Sequence, residues 1–261
     1  MSITGMQSGE GVAVAARRAA AEDAARDGLV VPETARLRVV QGGRSLPPRT
    51  RARLRAGELV RRLVEGTAAT VLLLTLSPLL LGIALAVRLD SGGPALFRQR
   101  RLGRGRREFT VFKFRTMRAG ADVAPHREYV QSLIQDDRGP ERGRLYKLSV
   151  DDRVTRVGRV LRSWSLDELP QLINVLRGEM AFVGPRPVIP YEVDMYPAEY
   201  LRRFEVRPGL TGLWQVSGRN ERSYEEMVRL DIEYAAHATP WRDLQILLRT
   251  IPVVLRRQGV A

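Results

Sequence analysis

The sequence predicts a mainly helical α+β protein, in which a membrane-embedded helix hairpin precedes a small domain of short strands and amphipathic surface helices. Three observations predict it: a long uncharged stretch broken by a proline, two short segments typical of strands, and several segments whose apolar residues recur at helical spacing. From these features we divide the chain into residues 1–55, 56–90 and 91–261.

The amino-acid composition excludes several classes of catalytic and metal site. It has 261 residues, a net charge of +14, no cysteine and only two histidines, His126 and His237. Disulfides, thiolate nucleophiles and cysteine metal sites are therefore excluded. The chain also has few histidines for a zinc hydrolase site or a Ser-His-Asp triad. The positive charge predicts an anionic partner: a phosphate, a nucleic acid or an acidic membrane surface.

Residues 1–55 are rich in Ala, Arg, Gly and Pro and contain no aromatic residue. Such a segment has little with which to build a core, so we predict a mostly disordered tail with an Ala-rich helix around residues 12–26. Because it lacks an early apolar run, it is not predicted to be a signal peptide.

The uncharged stretch from Gly66 to Val87 is long enough to span a bilayer core, for which about 20 residues suffice. Ser77 and Pro78 interrupt it in the middle, where the proline should bend the helix and Ser77 could satisfy a freed carbonyl. Arginines flank it on both sides, and the positive-inside rule places both flanks in the cytoplasm. The sequence therefore favours a re-entrant hairpin over a single span or a buried helix.

Two short strands are predicted next, at residues 95–97 and 109–115, joined by a basic turn over residues 98–107. In the second strand Lys113 and Arg115 share one face, so two cations should project together. Taken alone, this pattern is more typical of a solvated strand face than of a binding site. A polar excursion over residues 118–150 follows, with one helix near residues 126–134.

Residues 162–187 are the stretch around which we expect the functional site to form. A helix is predicted from the apolar spacing of residues 169–176, and it should end at Arg177–Gly178. Adjacent carboxylates, Asp167 and Glu168, lie at its start. By itself such a pair is more often a capping device than a catalytic pair.

The start of this helix has two interpretations. If Ser165 is the cap, Pro170 falls inside the helix and removes a hydrogen bond; if Asp167 is the cap, Pro170 lies harmlessly in the first turn. We favour the second. Either interpretation places Asp167 near unpaired backbone N–H groups, which should keep it ionised.

Arginines near this stretch are candidate phosphate ligands. Arg162 precedes Asp167 by five residues, and Arg186 is held between two prolines in Gly184–Pro187, which suits bidentate recognition of phosphate. Glycines at 209, 212 and 218 should let the backbone approach a ligand closely, and Arg219 follows them. Neither a Walker A sequence nor a G-x-G-x-x-G fingerprint is present.

Two final helices are predicted, over residues 223–234 and 241–257. The second is amphipathic and basic, so it could lie on a membrane surface or pack on the core of the domain.

Five motifs, in this order, resemble those of the bacterial sugar transferases that are monotopic phosphoglycosyl transferases: residues 113–117, 165–172, 174–178, 183–187 and 207–212. The resemblance covers roughly residues 58–259. It implies a re-entrant membrane helix bent at Ser77–Pro78 and a small cytoplasmic catalytic domain on the inner leaflet of the cytoplasmic membrane. Glu65 departs from the family, which more often has Asp there.

The resemblance also implies an activity, the transfer of a sugar 1-phosphate from a UDP-sugar to undecaprenyl phosphate in the first membrane step of polysaccharide or glycoconjugate assembly. Asp167 would be the covalent nucleophile, releasing UMP, and Glu168 would assist as a base or through the metal shell. Mg²⁺ is the expected cofactor, held by Asp167 and substrate phosphates. The expected phosphate-binding residues are Lys113, Arg115, Arg162, Arg186, Pro187 and Arg219.

Two other classes of function remain as alternatives: a basic nucleic-acid-binding protein and a non-catalytic membrane scaffold. The uncharged stretch and the absence of a recognisable binding module argue against nucleic acid as a partner. The Asp167–Glu168 pair and the arginines argue against a scaffold. The identity of the sugar and the choice between monomer and homodimer stay open.

Overall fold

The structure, a computed structural model, describes residues 48–118, 153–219 and 222–257. The predicted tail up to residue 47 and the predicted helix near residues 126–134 lie outside the described residues. The chain divides into two compact units after Leu54, and the second unit, residues 55–261, holds both sheets. The described chain is mostly helical with short strands, which confirms the α+β class.

Helices α1 (Pro48–Thr75) and α2 (Ser77–Ser91) meet at the predicted break. Pro78 has no N–H to donate to the Leu74 carbonyl, and the Ser77 hydroxyl donates to that oxygen instead, at 2.7 Å. The expected role of Ser77 at the bend is therefore confirmed. Within the described ranges no single helix is long and apolar enough to cross a membrane. The two helical segments 57–75 and 77–91, which are bent by 63° relative to each other, are together long and apolar enough to do so.

A β-hairpin follows the helices, with β1 (Leu96–Leu102) antiparallel to β2 (Glu108–Phe114). The first strand is longer than predicted, because its arginines find partners instead of forming a turn. The Arg98 guanidinium lies 5.9 Å from the ring centroid of Phe112, and Arg101 donates to the carbonyl of Pro187 at 2.9 Å. A 3₁₀ turn, Arg104–Arg106, closes the hairpin.

A second, parallel sheet pairs β3 (Ala181–Val183) with β4 (Gly209–Thr211). A Cβ atom at residue 209 would lie 2.0 Å from the Gly184 nitrogen, and one at residue 212 would lie 2.2 Å from the Gly184 carbonyl oxygen. From the sequence, these glycines were expected to let the backbone approach a ligand. In the structure these glycines instead allow the backbone of Gly184 to pack directly against them. This close approach brings the segments containing Arg186 and Arg207 side by side.

The remaining elements pack around these two sheets. In chain order they are the helices α3 (Arg156–Ser163), α4 (Leu172–Arg177), α5 (Pro190–Val193), α6 (Leu213–Val216), α7 (Tyr224–Ala236) and α8 (Pro240–Leu255), and the 3₁₀ segments Leu166–Gln171 and Ala198–Glu205. The two last helices were both predicted. Ile246 of α8 is buried against Val183 and Tyr234, so this helix does pack on the core.

A partly buried ion-pair network attaches α1 to the domain. Nη2 of Arg207, which precedes β4, lies 2.7 Å from Oε2 of Glu65. Nη2 of Arg61 lies 2.9 Å from Oδ2 of Asp243 in α8. Arg207 also donates to the carbonyl of Met180 at 3.2 Å. The base of the helix hairpin is thus fixed to both the second sheet and α8.

Candidate active site

Asp167 and Glu168 lie in the 3₁₀ segment Leu166–Gln171, which also contains Pro170. Our preferred cap was wrong: Ser165, with φ 55°, occupies the position before the segment and its side chain makes no capping hydrogen bond. The proline explains the difference, because the missing N–H and the ring are incompatible with an α-helix there, whereas a short 3₁₀ turn tolerates them.

The α-helix itself begins only after this turn. It runs from Leu172 to Arg177 and ends at Gly178, whose φ of 74° is the left-handed cap that the sequence predicted. The carboxylates are therefore presented on a tight turn between two elements. A backbone held in the left-handed region at Ser165, two residues before Asp167, is the kind of local strain that clusters at functional sites.

Lys113 of β2 forms an ion pair with Glu168 of this turn. Its Nζ lies 2.7 Å from Oε1 of Glu168, and the two side chains are 21% and 32% exposed. The strand thus supplies one of the two cations that the sequence placed on its face.

Arg186 and Arg219 complete the positive surroundings of the carboxylates. Burial raises the pKa of Glu168, but Lys113, followed by Arg186 and Arg219, outweighs it and lowers the pKa to about 2. Burial lowers the pKa of Arg219, on which Glu168, Arg186 and Asp167 also act by their charges. The structure therefore brings together two carboxylates and three cations from separate parts of the chain.

The two arginines are held in different ways. The Arg186 guanidinium lies 5.9 Å from the ring centroid of Trp214, and the carbonyl of Pro187 accepts the hydrogen bond from Arg101. Arg219 has a left-handed backbone, with φ 45°, directly after Gly218, with φ 116°. Arg219 thus adopts a backbone conformation that non-glycine residues rarely adopt.

Two other predicted phosphate ligands make contacts elsewhere. Arg115 is buried, and its guanidinium donates to the Ser91 hydroxyl at 2.8 Å and to the Gly92 carbonyl, at the end of α2. Arg162 donates from Nε to the Thr116 hydroxyl at 2.9 Å. Arg115 therefore ties β2 to the helix hairpin, and a role for either residue towards phosphate stays a prediction.

Sequence reasoning missed Asn174, which is fully buried. Its Oδ1 accepts from the Phe112 N–H at 3.2 Å, and its Nδ2 donates to the Thr110 carbonyl at 2.6 Å, so α4 is fastened to β2. This contact holds the carboxylate turn beside Lys113. A lone amide among the apolar residues of a short helix was the available signal.

The arrangement is suited to binding and transferring phosphoryl groups. Three cations can neutralise the oxygens of a diphosphate, and an ionised carboxylate among them can attack phosphorus. Within the described residues no three acidic, histidine or cysteine side chains converge as a metal-binding group. The two carboxylates supply the hard oxygen donors that Mg²⁺ prefers, and this ion commonly combines one or two carboxylates with substrate phosphates.

The Lys113–Glu168 pair predicts a pH-dependent contribution to stability. Since the pKa of Glu168 falls from 4.5 in the unfolded chain to about 2 in the folded protein, the contribution is fully present above pH 4.5 and is lost as the pH falls towards 2. Lys113→Met should lower the free energy of unfolding by on the order of 1 kcal/mol at pH 7. Thermal unfolding in nanodiscs from pH 7 to pH 3 would measure the difference from wild type, which should shrink towards pH 3.

Arg100→Met is the matched control, because it breaks the exposed pair with Glu108, whose side chains are 74% and 45% exposed. Exposed pairs contribute little, so this variant should follow wild type at every pH. A Lys113→Met deficit that is constant with pH would contradict the assigned pKa shift.

Comparison with known proteins agrees with this chemistry. Residues 56–257 match the family described as bacterial sugar transferase. A protein of Caulobacter vibrioides named UDP-glucose:undecaprenyl-phosphate glucose-1-phosphate transferase is 46% identical over 208 residues, covering 77% of this chain and 71% of its own. The exopolysaccharide production protein ExoY of Rhizobium meliloti is 42% identical over 214 residues, covering 82% of this chain and 93% of its own.

The undecaprenyl-phosphate galactose phosphotransferase of Salmonella typhimurium is 40% identical over 207 residues, which are 78% of this chain and 42% of that protein. The family match spans most of the chain and includes every residue of the carboxylate and arginine cluster. The resemblance inferred from the five motifs is therefore confirmed, and the chain belongs to the bacterial sugar transferases, a family of enzymes.

Proposed function

We propose that the chain transfers a sugar 1-phosphate from a UDP-sugar to undecaprenyl phosphate and releases UMP. The observation that carries the proposal is the cluster of Asp167 and Glu168 with Lys113, Arg186 and Arg219, which joins a nucleophile to cations for a diphosphate. The name of the Caulobacter relative supports the same donor and acceptor classes, and the name of the Salmonella relative supports the same acceptor.

The proposed reaction has two displacements at phosphorus. A carboxylate oxygen of Asp167 attacks the β-phosphorus of the UDP-sugar, and the bond from that phosphorus to the bridging oxygen breaks as UMP leaves with the electron pair. A phosphate oxygen of undecaprenyl phosphate then attacks the aspartyl-phosphosugar. The carboxylate of Asp167 is regenerated, and the sugar remains linked to the lipid through a diphosphate.

The surrounding residues would support both displacements. Arg186 and Arg219 would bind the phosphate oxygens, and Lys113 would hold Glu168 ionised beside the nucleophile. Asp167, with Glu168 beside it, would hold Mg²⁺ together with substrate phosphates, and the bound ion would neutralise the negative charge of the diphosphate.

The experiment that tests this function measures nucleotide release from a panel of UDP-sugars by the purified protein in nanodiscs, with and without undecaprenyl phosphate and Mg²⁺. Multiple-turnover formation of UMP that requires the lipid is expected, with at most about one UMP per enzyme molecule in its absence, because only the lipid regenerates Asp167. The panel would identify the sugar. Formation of UDP instead would indicate an ordinary glycosyl transferase mechanism. If no sugar gives UMP, the scaffold alternative gains support.

We also propose that residues 56–90 form a re-entrant membrane hairpin, with residues 91–261 as a cytoplasmic catalytic domain on the inner leaflet. The bent pair of helices and the basic residues on both flanks support this placement. On α8, large apolar side chains face away from the core; Trp241 is 67% exposed and Leu255 is 65% exposed. That face would lie on the same membrane surface.

The hairpin predicts that both of its ends label from the same side of the membrane. The chain contains no cysteine, so single cysteines at Gly57 and Arg88, both exposed, provide clean probes. In intact cells neither should react with a membrane-impermeant maleimide, and both should react in inverted vesicles. Reaction of only one of them in intact cells would instead establish a single span.

A further inference from the structure

A pair of opposite charges is buried behind Arg186. Arg203 lies in the 3₁₀ segment Ala198–Glu205, Asp231 lies in α7, and each side chain is only 1% exposed. The two side chains form a salt bridge. Burial raises the pKa of Asp231 to about 6, even though Arg203 and Arg186 act to lower it. The interior therefore disfavours the charge, and such pairs are weak sources of stability.

The pair contacts the backbone of Arg186 on both sides of its Cα atom. Nη2 of Arg203 donates to the Arg186 carbonyl oxygen at 3.3 Å, and the Asp231 carboxylate accepts from the Arg186 N–H. One buried ion pair thus faces both polar backbone groups of this residue.

The remaining contacts of the pair leave Arg203 little freedom. Its Nη1 donates to the hydroxyl of Tyr196 at 3.0 Å, and that hydroxyl is hydrogen-bonded to Tyr224, which in turn donates to Glu192 at 2.8 Å. The guanidinium therefore spans three acceptors, the Asp231 carboxylate, the Arg186 carbonyl and the Tyr196 hydroxyl. Lysine has one nitrogen and could not reproduce this fork.

The side chain of Arg186 extends to the opposite side, towards the carboxylates. Its charge acts on Glu168 and Arg219, and its guanidinium lies beside the ring of Trp214. Because the flanking prolines already restrict the local backbone, fixing the N–H and the carbonyl of Arg186 determines where its side chain leaves the loop.

We propose that Arg203 and Asp231 are positioning residues, which hold the backbone of Arg186 so that its guanidinium meets the phosphates of the donor substrate. The ligand class rests on the proposed function, whereas the contact with the loop does not. Neither residue touches the reacting atoms, and both act through Arg186.

The first test is independent of activity and measures hydrogen exchange of the peptide that covers residues 184–189. Asp231→Asn removes the negative charge that accepts from the Arg186 N–H, and Arg203→Lys removes the guanidinium that donates to the Arg186 carbonyl. Each variant should raise the exchange rate of this peptide by about 10-fold. Arg229→Lys is the matched control on α7, since its partner Glu225 is exposed, and it should change nothing. Unchanged exchange in Asp231→Asn would overturn the proposal.

The second test is a double-mutant cycle on the KM for the UDP-sugar. Arg203→Lys should raise KM by about 3- to 10-fold in the wild-type background and by less than about 2-fold when Arg186→Gln is also present. Equal effects in the two backgrounds would show a general structural role and overturn the proposal. If the wild type releases no UMP, the proposed function fails, while the exchange result still decides the contact.

Discussion

Replacement of Asp167 by Asn should reduce UMP release by roughly 10³-fold or more, the scale seen when a covalent nucleophile is removed. Under the proposed function, the amide has almost the same shape but no ionised oxygen to attack phosphorus, so turnover should be lost. Since Asp167 would also hold Mg²⁺, saturating Mg²⁺ in the assay should keep donor binding close to that of the wild type. Lys113, Arg186 and Arg219 remain in place in this variant. A steady-state assay that separates kcat from KM would therefore locate the loss in kcat.

A trapping experiment tests the covalent step directly. With a UDP-sugar radiolabelled in the β-phosphate and no lipid acceptor, the wild type should retain label after denaturation and Asp167→Asn should retain none. Asp194→Asn, at an exposed position after α5, is the control and should label as the wild type does. Label that persists on Asp167→Asn would assign the nucleophile to another residue.

Gly209→Ala should destabilise the fold by about 3 kcal/mol, at the upper end of typical overpacking costs. The added methyl group would lie 2.0 Å from the Gly184 nitrogen and 2.3 Å from the Thr211 carbonyl oxygen, both of them backbone atoms that cannot rotate away. Relief requires β3 and β4 to separate. The loop that carries Arg186 should shift with them, so donor binding should weaken as well.

The measurement is the thermal unfolding midpoint in nanodiscs, which should fall by about 6 to 12 °C for a domain of this size. Gly57→Ala is the matched control, because its added methyl group would meet no heavy atom within 4 Å beyond its chain neighbours and the backbone of its own helix, and alanine is favoured in a helix. Its midpoint should stay unchanged or rise slightly. A midpoint for Gly209→Ala close to that of Gly57→Ala would show that the strands adapt without cost.

Much of the local structure was predictable from sequence because its signals are short in range. The bend at Ser77 and Pro78, the second strand of the hairpin, the left-handed cap at Gly178 and the two final helices each depend on a few neighbouring residues. The first strand was predicted too short, since the stacking of Arg98 on Phe112 crosses from one strand to the other.

In the site, too, only the features that depend on neighbouring residues were predictable. The residues that come together there were predictable in part, because an adjacent carboxylate pair and an arginine between two prolines have recognisable sequence patterns. The different positions of Lys113 and Arg115 were not, although the two residues share one strand face: one meets Glu168, and the other closes the end of α2. That difference depends on which element packs over each residue, which no strand pattern contains.

The sequence by itself determined the family, the helix break, the carboxylate pair and the positive charge around it, since all of these are properties of residue type and local spacing. Only the tertiary structure decided that Arg203 and Asp231 would support Arg186, that Asn174 would fasten the carboxylate turn to β2, and that Gly209 would admit a strand rather than a ligand. These contacts join residues far apart in the chain, and packing selects their partners from many chemically equivalent candidates.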